Sequence, residues 1–363
     1  MASQLNIPKT SGSTVDVSVI PAGQVTVPSA FLLKQPLPGH DIYTAPCYSF
    51  LVEHKEKGKK ILFDLGPMKA WKEKFPPAIL AQVEMAKNVF NIEKDVPDYL
   101  READIPLESI NAIVWSHHHI DHTGDPSLFP SSTSLLVGPG FKSDKTTFPG
   151  YPKNPDALVP DDGFQGREVI ELDFSATGLT IGGFPAIDYF GDGSFYLLQT
   201  KGHTHYHVSA LARTSASKFL FLAGDIAHHV GEFRPSTHLP LPNDITPSPL
   251  DPTPLNPRLA AFSACPGSIL SEIHPKKETD DYRTTPFYEP HPLMNVSPAE
   301  AAEAVGKMQV FDGDVEVFVV IAHDQDLLDI LPAFPEKITK WDLEGYKSLG
   351  RWRFLRDFLK GAQ

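Results

Sequence analysis

Four histidines and two aspartates fall within ten positions in the segment SHHHIDHTGD, residues 116–125. Clustered imidazoles and carboxylates pack poorly in a core and destabilise one another, so a chain that crowds them needs something for them to hold, and a metal ion is the usual partner. In an extended segment, residues two apart share a face. His117 and His119 then lie side by side with Asp121 following, His122 turns aside, and His118 points away as a neighbour and not a ligand. A catalytic metal needs about three protein ligands plus an open position. The segment must therefore be completed from elsewhere in the chain.

The completing residues stand where apolar strands end. INAIVWS (110–116) reads as a buried strand that delivers the histidine cluster, SFYLLQTKGH (194–203) ends in His203, KFLFLAGD (218–225) in Asp225, and VEVFVVIAH (315–323) in His323. Sites of α/β proteins assemble at strand ends along one sheet edge. A carboxylate can bridge two cations, which suits Asp225. One metal would take His117, His119, His203 and Asp225; a second would take Asp121, His122, His323 and the same Asp225. Asp64, at the end of KKILFDLG, is expected to orient a ligand histidine from behind, because a ligating imidazole needs a partner on its other nitrogen. His207 is expected in a similar supporting or packing role.

The remaining pattern is less regular. TVDVSVIPA (14–22) and QVTVPSAFLL (24–33) suggest two short strands; CYSFLVEH (47–54) and KKILFDLG (59–66) suggest a hairpin turned by HKEKGKK. KAWKEKF and PAILAQVEMAKNVF read as helical, as do VPDYLREADI and SPAEAAEAVGKMQ, the last with Ser297 as N-cap and Pro298 after it. Residues 118–170 read as mostly loop. A Pro-rich insertion spans about 234–296, with a short helix expected in PRLAAFSACPGSIL, and a C-terminal helix is expected over about 341–360. All of this fits one domain over 1–363.

Composition narrows the class. A net charge of −13 argues against a protein that grips nucleic acid, since phosphate contacts need a basic face. Two cysteines, Cys47 and Cys265, rule out a Cys-rich zinc site and suit a reducing compartment. The N-terminus has no secretory pattern and no run of about 18 apolar residues occurs, so a cytoplasmic protein without membrane contact is expected.

The quoted motifs, HHHIDH, GHTHYH, AGD and IAHD in that order, resemble those of the metallo-β-lactamase superfamily, and PCYSFLVEH…KKILFDLG resembles the hairpin that opens its fold. The likeness runs from about residue 46 to 325 and is strongest to the dinuclear lactonases that open N-acyl-homoserine lactones. It implies an αββα four-layer sandwich with two divalent metal ions, zinc first among them, at one edge between two sheets. It implies a hydrolase in which a metal-activated water opens a small cyclic ester or amide, for detoxification or secondary metabolism, with a lactone slightly ahead of a lactam and a homodimer as a possible state.

The departures are specific. The lactonases carry a tyrosine three residues after the bridging aspartate; here that place is His228, which becomes the candidate proton donor, with Asp121 orienting the attacking water. His229 is expected at the surface. Arg234 is a candidate substrate clamp or, equally, half of a structural salt bridge. The rivals on this scaffold are an iron-dependent sulfur dioxygenase, a glyoxalase-II-like thioesterase and, disfavoured by charge, an RNA-processing nuclease.

Overall fold

The computed structural model describes residues 5–8, 12–249, 264–268 and 273–359. The first sheet contains β1 (Asp16–Pro28), β2 (Ile42–His54), β3 (Lys59–Phe63), β4 (Val89–Asn91), β5 (Ile110–Val114), β6 (Ser134–Val137) and β7 (Val169–Glu171), in the order β4-β1-β2-β3-β5-β6-β7. The second contains β8 (Thr180–Ile181), β9 (Phe184–Asp188), β10 (Phe195–Gln199), β11 (Val208–Arg213), β12 (Phe219–Leu222) and, after a small β13–β14 hairpin (Asp244–Ile245 and Cys265–Pro266), β15 (Val317–Val320), in the order β15-β12-β11-β10-β9-β8. Strands β3, β5, β6 and β7 run parallel, as do β12 and β15; the other pairs in the two sheets are antiparallel.

Alternation of side chains along each strand assigns the layers. Val17, Phe50, Val52, Phe63 and Val114 of the first sheet meet Phe195, Leu197, Leu220, Leu222 and Val320 of the second in one shared core. The alternate residues face outwards. Leu51, Leu62 and Ile113 pack with Val96 and Leu100 of the helix Val96–Glu102. Phe219, Phe221, Val317 and Val319 pack with Ala304, Val305, Met308 and Phe311 of the helix Pro298–Gly313. The order is helix, sheet, sheet, helix: an αββα sandwich. Each apolar side chain removed from water in these layers contributes about 1.5–3 kcal/mol, and the Phe221 and Phe311 rings stack at 4.5 Å.

Local pattern and tertiary context disagree in several places. The two strands expected near the N-terminus are one, β1, with a register irregularity between Pro21 and Gln24 and a short helix, Ser29–Leu32, at its end. The helix expected through Phe90 stops at Met85, and Val89–Asn91 joins the sheet edge beside β1. Strands β6 and β7 lie in the segment expected to be loop. The C-terminal segment, which reads as a helix or two, holds turns, a helix Tyr346–Gly350 and a short helix Arg356–Leu359. Trp341 packs in the inter-sheet core while Trp352, Phe354 and Phe358 pack in the outer one, and one straight helix cannot serve both. Most of the helix expected in PRLAAFSACPGSIL lies outside the described residues. The described parts of the Pro-rich insertion lend Leu241, Ile245, Phe287 and Tyr288 to the outer core. Among the described residues no helix is long and apolar enough to cross a membrane.

Candidate metal centre

The parallel pairs β3/β5 and β12/β15 place four carboxyl-terminal strand ends on one rim. Asp64 N–H donates to the Val114 carbonyl at 2.8 Å and Ala223 N–H to that of Val320 at 2.9 Å, which keeps both pairs in step beyond their last strand residue. Two bonds stitch the sheets together there: Val208 N–H to Ser116 O at 2.9 Å and Tyr48 N–H to Ala322 O at 3.1 Å. Gly224 follows β12 with φ +58°, and a Cβ on it would stand 2.8 Å from His207 Nε2. Only glycine lets the chain turn there and present Asp225.

On this rim the sequence-predicted ligands converge in two sets. In the first, His117 Nε2 and His119 Nδ1 are 2.9 Å apart, and His203 Nε2 lies 3.2 Å and 2.9 Å from them. Asp225 Oδ2 stands 3.8 Å from His117 Nε2 and 3.6 Å from His203 Nε2. In the second, the same Oδ2 is 3.2 Å from His122 Nε2, while Asp225 Oδ1 is 3.4 Å from His323 Nε2. Asp121 closes this set, 3.5 Å from His323 Nε2 and 3.9 Å from His122 Nε2. Asp225 thus lies between the sets.

The outer partners fix which nitrogen carries a lone pair. The Pro46 carbonyl can only accept, so His323 Nδ1–H donates to it at 2.8 Å and leaves Nε2 bare. His122 Nδ1–H donates to Asp64 at 2.9 Å, leaving its Nε2 bare. Ser116 Oγ–H donates to Asp64 at 2.7 Å and therefore accepts His117 Nδ1–H at 3.0 Å, so His117 Nε2 is bare as well. Bare imidazole nitrogens facing one another and a carboxylate in a dry pocket repel. The repulsion ends only when a cation or a proton sits between them. His122 Nε2 and Asp225 Oδ1 are indeed buried without any hydrogen-bond partner. Burial holds His117 and His203 well below the ordinary histidine range and His119 at about 3, so these rings are neutral, as metal ligands must be. Burial works the same way on His122 and His323, but the Asp225 carboxylate outweighs it and raises both. Those are the positions where a positive charge is wanted, and the donor set fits a pair of divalent cations.

The supporting residues are equally specific. Asp64, at φ +58°, also accepts Ser116 N–H at 2.6 Å; burial raises its carboxyl and His122 and Ser116 pull it back. His207 Nε2 accepts the Asp225 backbone N–H at 3.0 Å while its Nδ1–H goes to Thr200 Oγ1 at 2.8 Å, so His207 positions Asp225. His118 faces away, with Nδ1 3.0 Å from the Tyr206 hydroxyl. His228 is buried beside His203, ring centres 4.8 Å apart, with Nε2 3.4 Å from Asp225 Oδ2 and no hydrogen-bond partner. Burial disfavours its protonation, but Asp225 outweighs this and raises it.

Two expectations are overturned. Arg234 is no substrate clamp: it is 2 % exposed, and its guanidinium grips Asp312 through Nε at 2.8 Å and Nη2 at 2.6 Å, with the Arg351 carbonyl on Nη1. A guanidinium matched to a buried carboxylate in this bidentate way has no fork left for a ligand. His229 is not at the surface: it is 1 % exposed, accepts Gly231 N–H at 2.9 Å and donates to Asp357 at 3.2 Å. Sequence reasoning also missed Ser116, Thr200, Tyr43, whose hydroxyl donates to the His323 carbonyl at 2.6 Å, and Glu232. The last is 1 % exposed with neither carboxyl oxygen partnered, and burial raises it to about 7. Only Ser116 carried a signal, its place at the strand end just before the histidines.

Comparison with known proteins points one way. The family model for the metallo-beta-lactamase superfamily matches residues 42–253. The gamma-lactamase FDB1 of Fusarium pseudograminearum (strain CS3096) is 42 % identical over 359 residues, covering 96 % of this chain and 83 % of the relative. The metallo-hydrolase mfmC of Annulohypoxylon moriforme is 40 % identical over 362 residues, covering 98 % of this chain and 90 % of the relative. The crystal structure of a quorum-quenching N-acyl homoserine lactone hydrolase superposes with a TM-score of 0.57 at 14 % identity, over 90 % of this chain and 99 % of that one.

Proposed function

The chain belongs to the metallo-beta-lactamase superfamily and is a metallo-hydrolase; from that premise we propose that it opens a small γ-lactam, a five-membered cyclic amide, at a pair of zinc ions. The observation that carries the reading is the meeting of two clusters, His117, His119 and His203 on one side and His122 and His323 on the other, at one carboxylate, Asp225, in a chain 42 % identical to a gamma-lactamase. That likeness moves the lactam ahead of the lactone.

His117, His119, His203 and Asp225 would hold one cation, and Asp121, His122, His323 and Asp225 the other. Divalent ions held so supply Lewis acidity and lower the pKa of water towards neutrality. The chain's own residues do the rest. Asp121, with 19 % of its side chain exposed, is the carboxylate of the site that reaches the open side and can orient an attacking water. His228 Nε2, 3.4 Å from Asp225 Oδ2, would carry the proton delivered to the leaving nitrogen. An amide anion is a far poorer leaving group than an alkoxide, so a lactam needs that proton more than a lactone does. Asp64 and His207 position ligands and touch no substrate. A single-iron dioxygenase would leave His122, His323 and Asp121 without a task. The charge of −13 suits a small substrate over nucleic acid, and two cysteines not joined in a disulfide suit the cytoplasm.

The test is a purified-protein screen against γ-lactams, matched lactones and thioesters, with metal content measured on the same sample. Two zinc ions per chain and γ-lactam opening that stops on chelation are expected. A fully loaded protein that opens no γ-lactam would refute the substrate, and one that consumes oxygen would favour the dioxygenase.

A further inference from the structure

The second ligand set has a neighbour that the hydrolase reading does not use. Cys47 lies on β2, fully buried, one residue after the Pro46 carbonyl that fixes His323. Its sulfur, a ring nitrogen of His323 and a carboxylate oxygen of Asp121 all lie within 4.8 Å of one another. A thiol with a purely structural task is surrounded by apolar atoms. Cys47 itself packs in the outer apolar core, with Tyr43 and Ala45. The sulfur has polar neighbours as well, two ligand groups of the second set, and one of them, His323, reaches the bridging Asp225 at 3.4 Å.

We propose that the Cys47 sulfur is a further ligand of the second cation, which makes the two metal sites chemically unequal. The inference rests on reading the two sets as cation sites. On ligation the S–H bond breaks, its proton leaves to solvent, and the sulfur lone pair forms the bond to the cation; nothing is oxidised or reduced. The first site, three imidazoles and a carboxylate, is then borderline in character. The second gains a soft donor and favours zinc, cobalt or cadmium over magnesium, manganese or calcium.

The experiment is a cobalt(II) titration of the metal-free full chain followed by absorption. The expected wild-type spectrum contains a sulfur-to-cobalt charge-transfer band in the near ultraviolet that grows with one of the two ions. Cys47→Ser should lose the band and bind that ion at least about tenfold more weakly, the lower bound set by loss of a residue that merely supports a ligand; Cys265→Ser should keep it. Two cobalt ions bound by the wild type without the band, or a band that survives Cys47→Ser, overturns the proposal. The wild-type spectrum decides by itself if the variant fails to fold. A chain that binds no cobalt overturns the cation reading and this inference together, whereas one that shows the band yet opens no lactam removes only the substrate.

Discussion

Asp64→Asn is the perturbation whose outcome the geometry defines most sharply. Asp64 receives three donors: Ser116 N–H at 2.6 Å, Ser116 Oγ–H at 2.7 Å and His122 Nδ1–H at 2.9 Å. Asparagine keeps the shape and tolerates the left-handed backbone at φ +58°. It offers only one acceptor oxygen, however, and the other position becomes an NH2. With the oxygen kept by Ser116 N–H, the NH2 faces His122 Nδ1–H, and two donors cannot share that 2.9 Å gap. The His122 ring relieves the clash by moving its proton to Nε2, the atom 3.2 Å from Asp225. A proton then occupies the direction a cation needs. Loss of such an orienting partner costs about ten- to a hundredfold in metal affinity, or about 1.4 to 2.8 kcal/mol. The first ligand set reaches Asp64 only through Ser116 and should weaken less. Competition against a chromophoric chelator measures both constants. Equal weakening of the two ions, or none, would refute the tautomer argument.

His228→Phe should slow lactam opening by about 10²- to 10⁴-fold, the span of general acid catalysis, and lactone opening by less; parallel assays check this, and equal losses would remove the donor role. Arg234→Met should destabilise the fold by about 3–5 kcal/mol because Asp312 stays buried without its partner. Urea unfolding tests that, and a rise in KM at normal stability would restore the clamp. Asp192, bonded to Ser194 and His54, has its carboxyl lowered to about 2 from 3.8 despite burial acting the other way. A depressed folded-state pKa contributes stability above the unfolded value and loses it as pH falls through the folded one. The gap in stability between wild type and Asp192→Asn should therefore be full at pH 5 and close as pH drops from about 4 towards 2; a constant gap would contradict this.

The convergence of the candidate ligands was legible in the sequence because strand ends collect chemistry, and period two is enough to set His117 beside His119. What stayed hidden depended on long-range pairing. Val89–Asn91 continues a helical spacing and becomes a strand only because β1 has a free edge there. The four residues of β6 and three of β7 are too short to show a period, and are strands because β5 offers the next parallel place. Arg234 stayed open between clamp and salt bridge because Asp312, which neutralises it, comes 78 positions later. His229 looked exposed for the same reason, its partner Asp357 being 128 positions away. Cys47 read as an ordinary strand residue, since nothing local signals that His323 returns to lie against it.

Each ligand set draws on both sheets: His117, His119, Asp121 and His122 follow β5, whereas His203, Asp225 and His323 follow β10, β12 and β15. Ions seated there act as rivets across the sandwich, in parallel with the two backbone bonds at the same rim. Occupancy then adds to the cohesion of the halves by mass action, in proportion to the logarithm of free ion over its dissociation constant. On the proposed two-ion reading, a chelator would be a mild denaturant as well as an inhibitor, and the melting temperature would gauge how full the rim is.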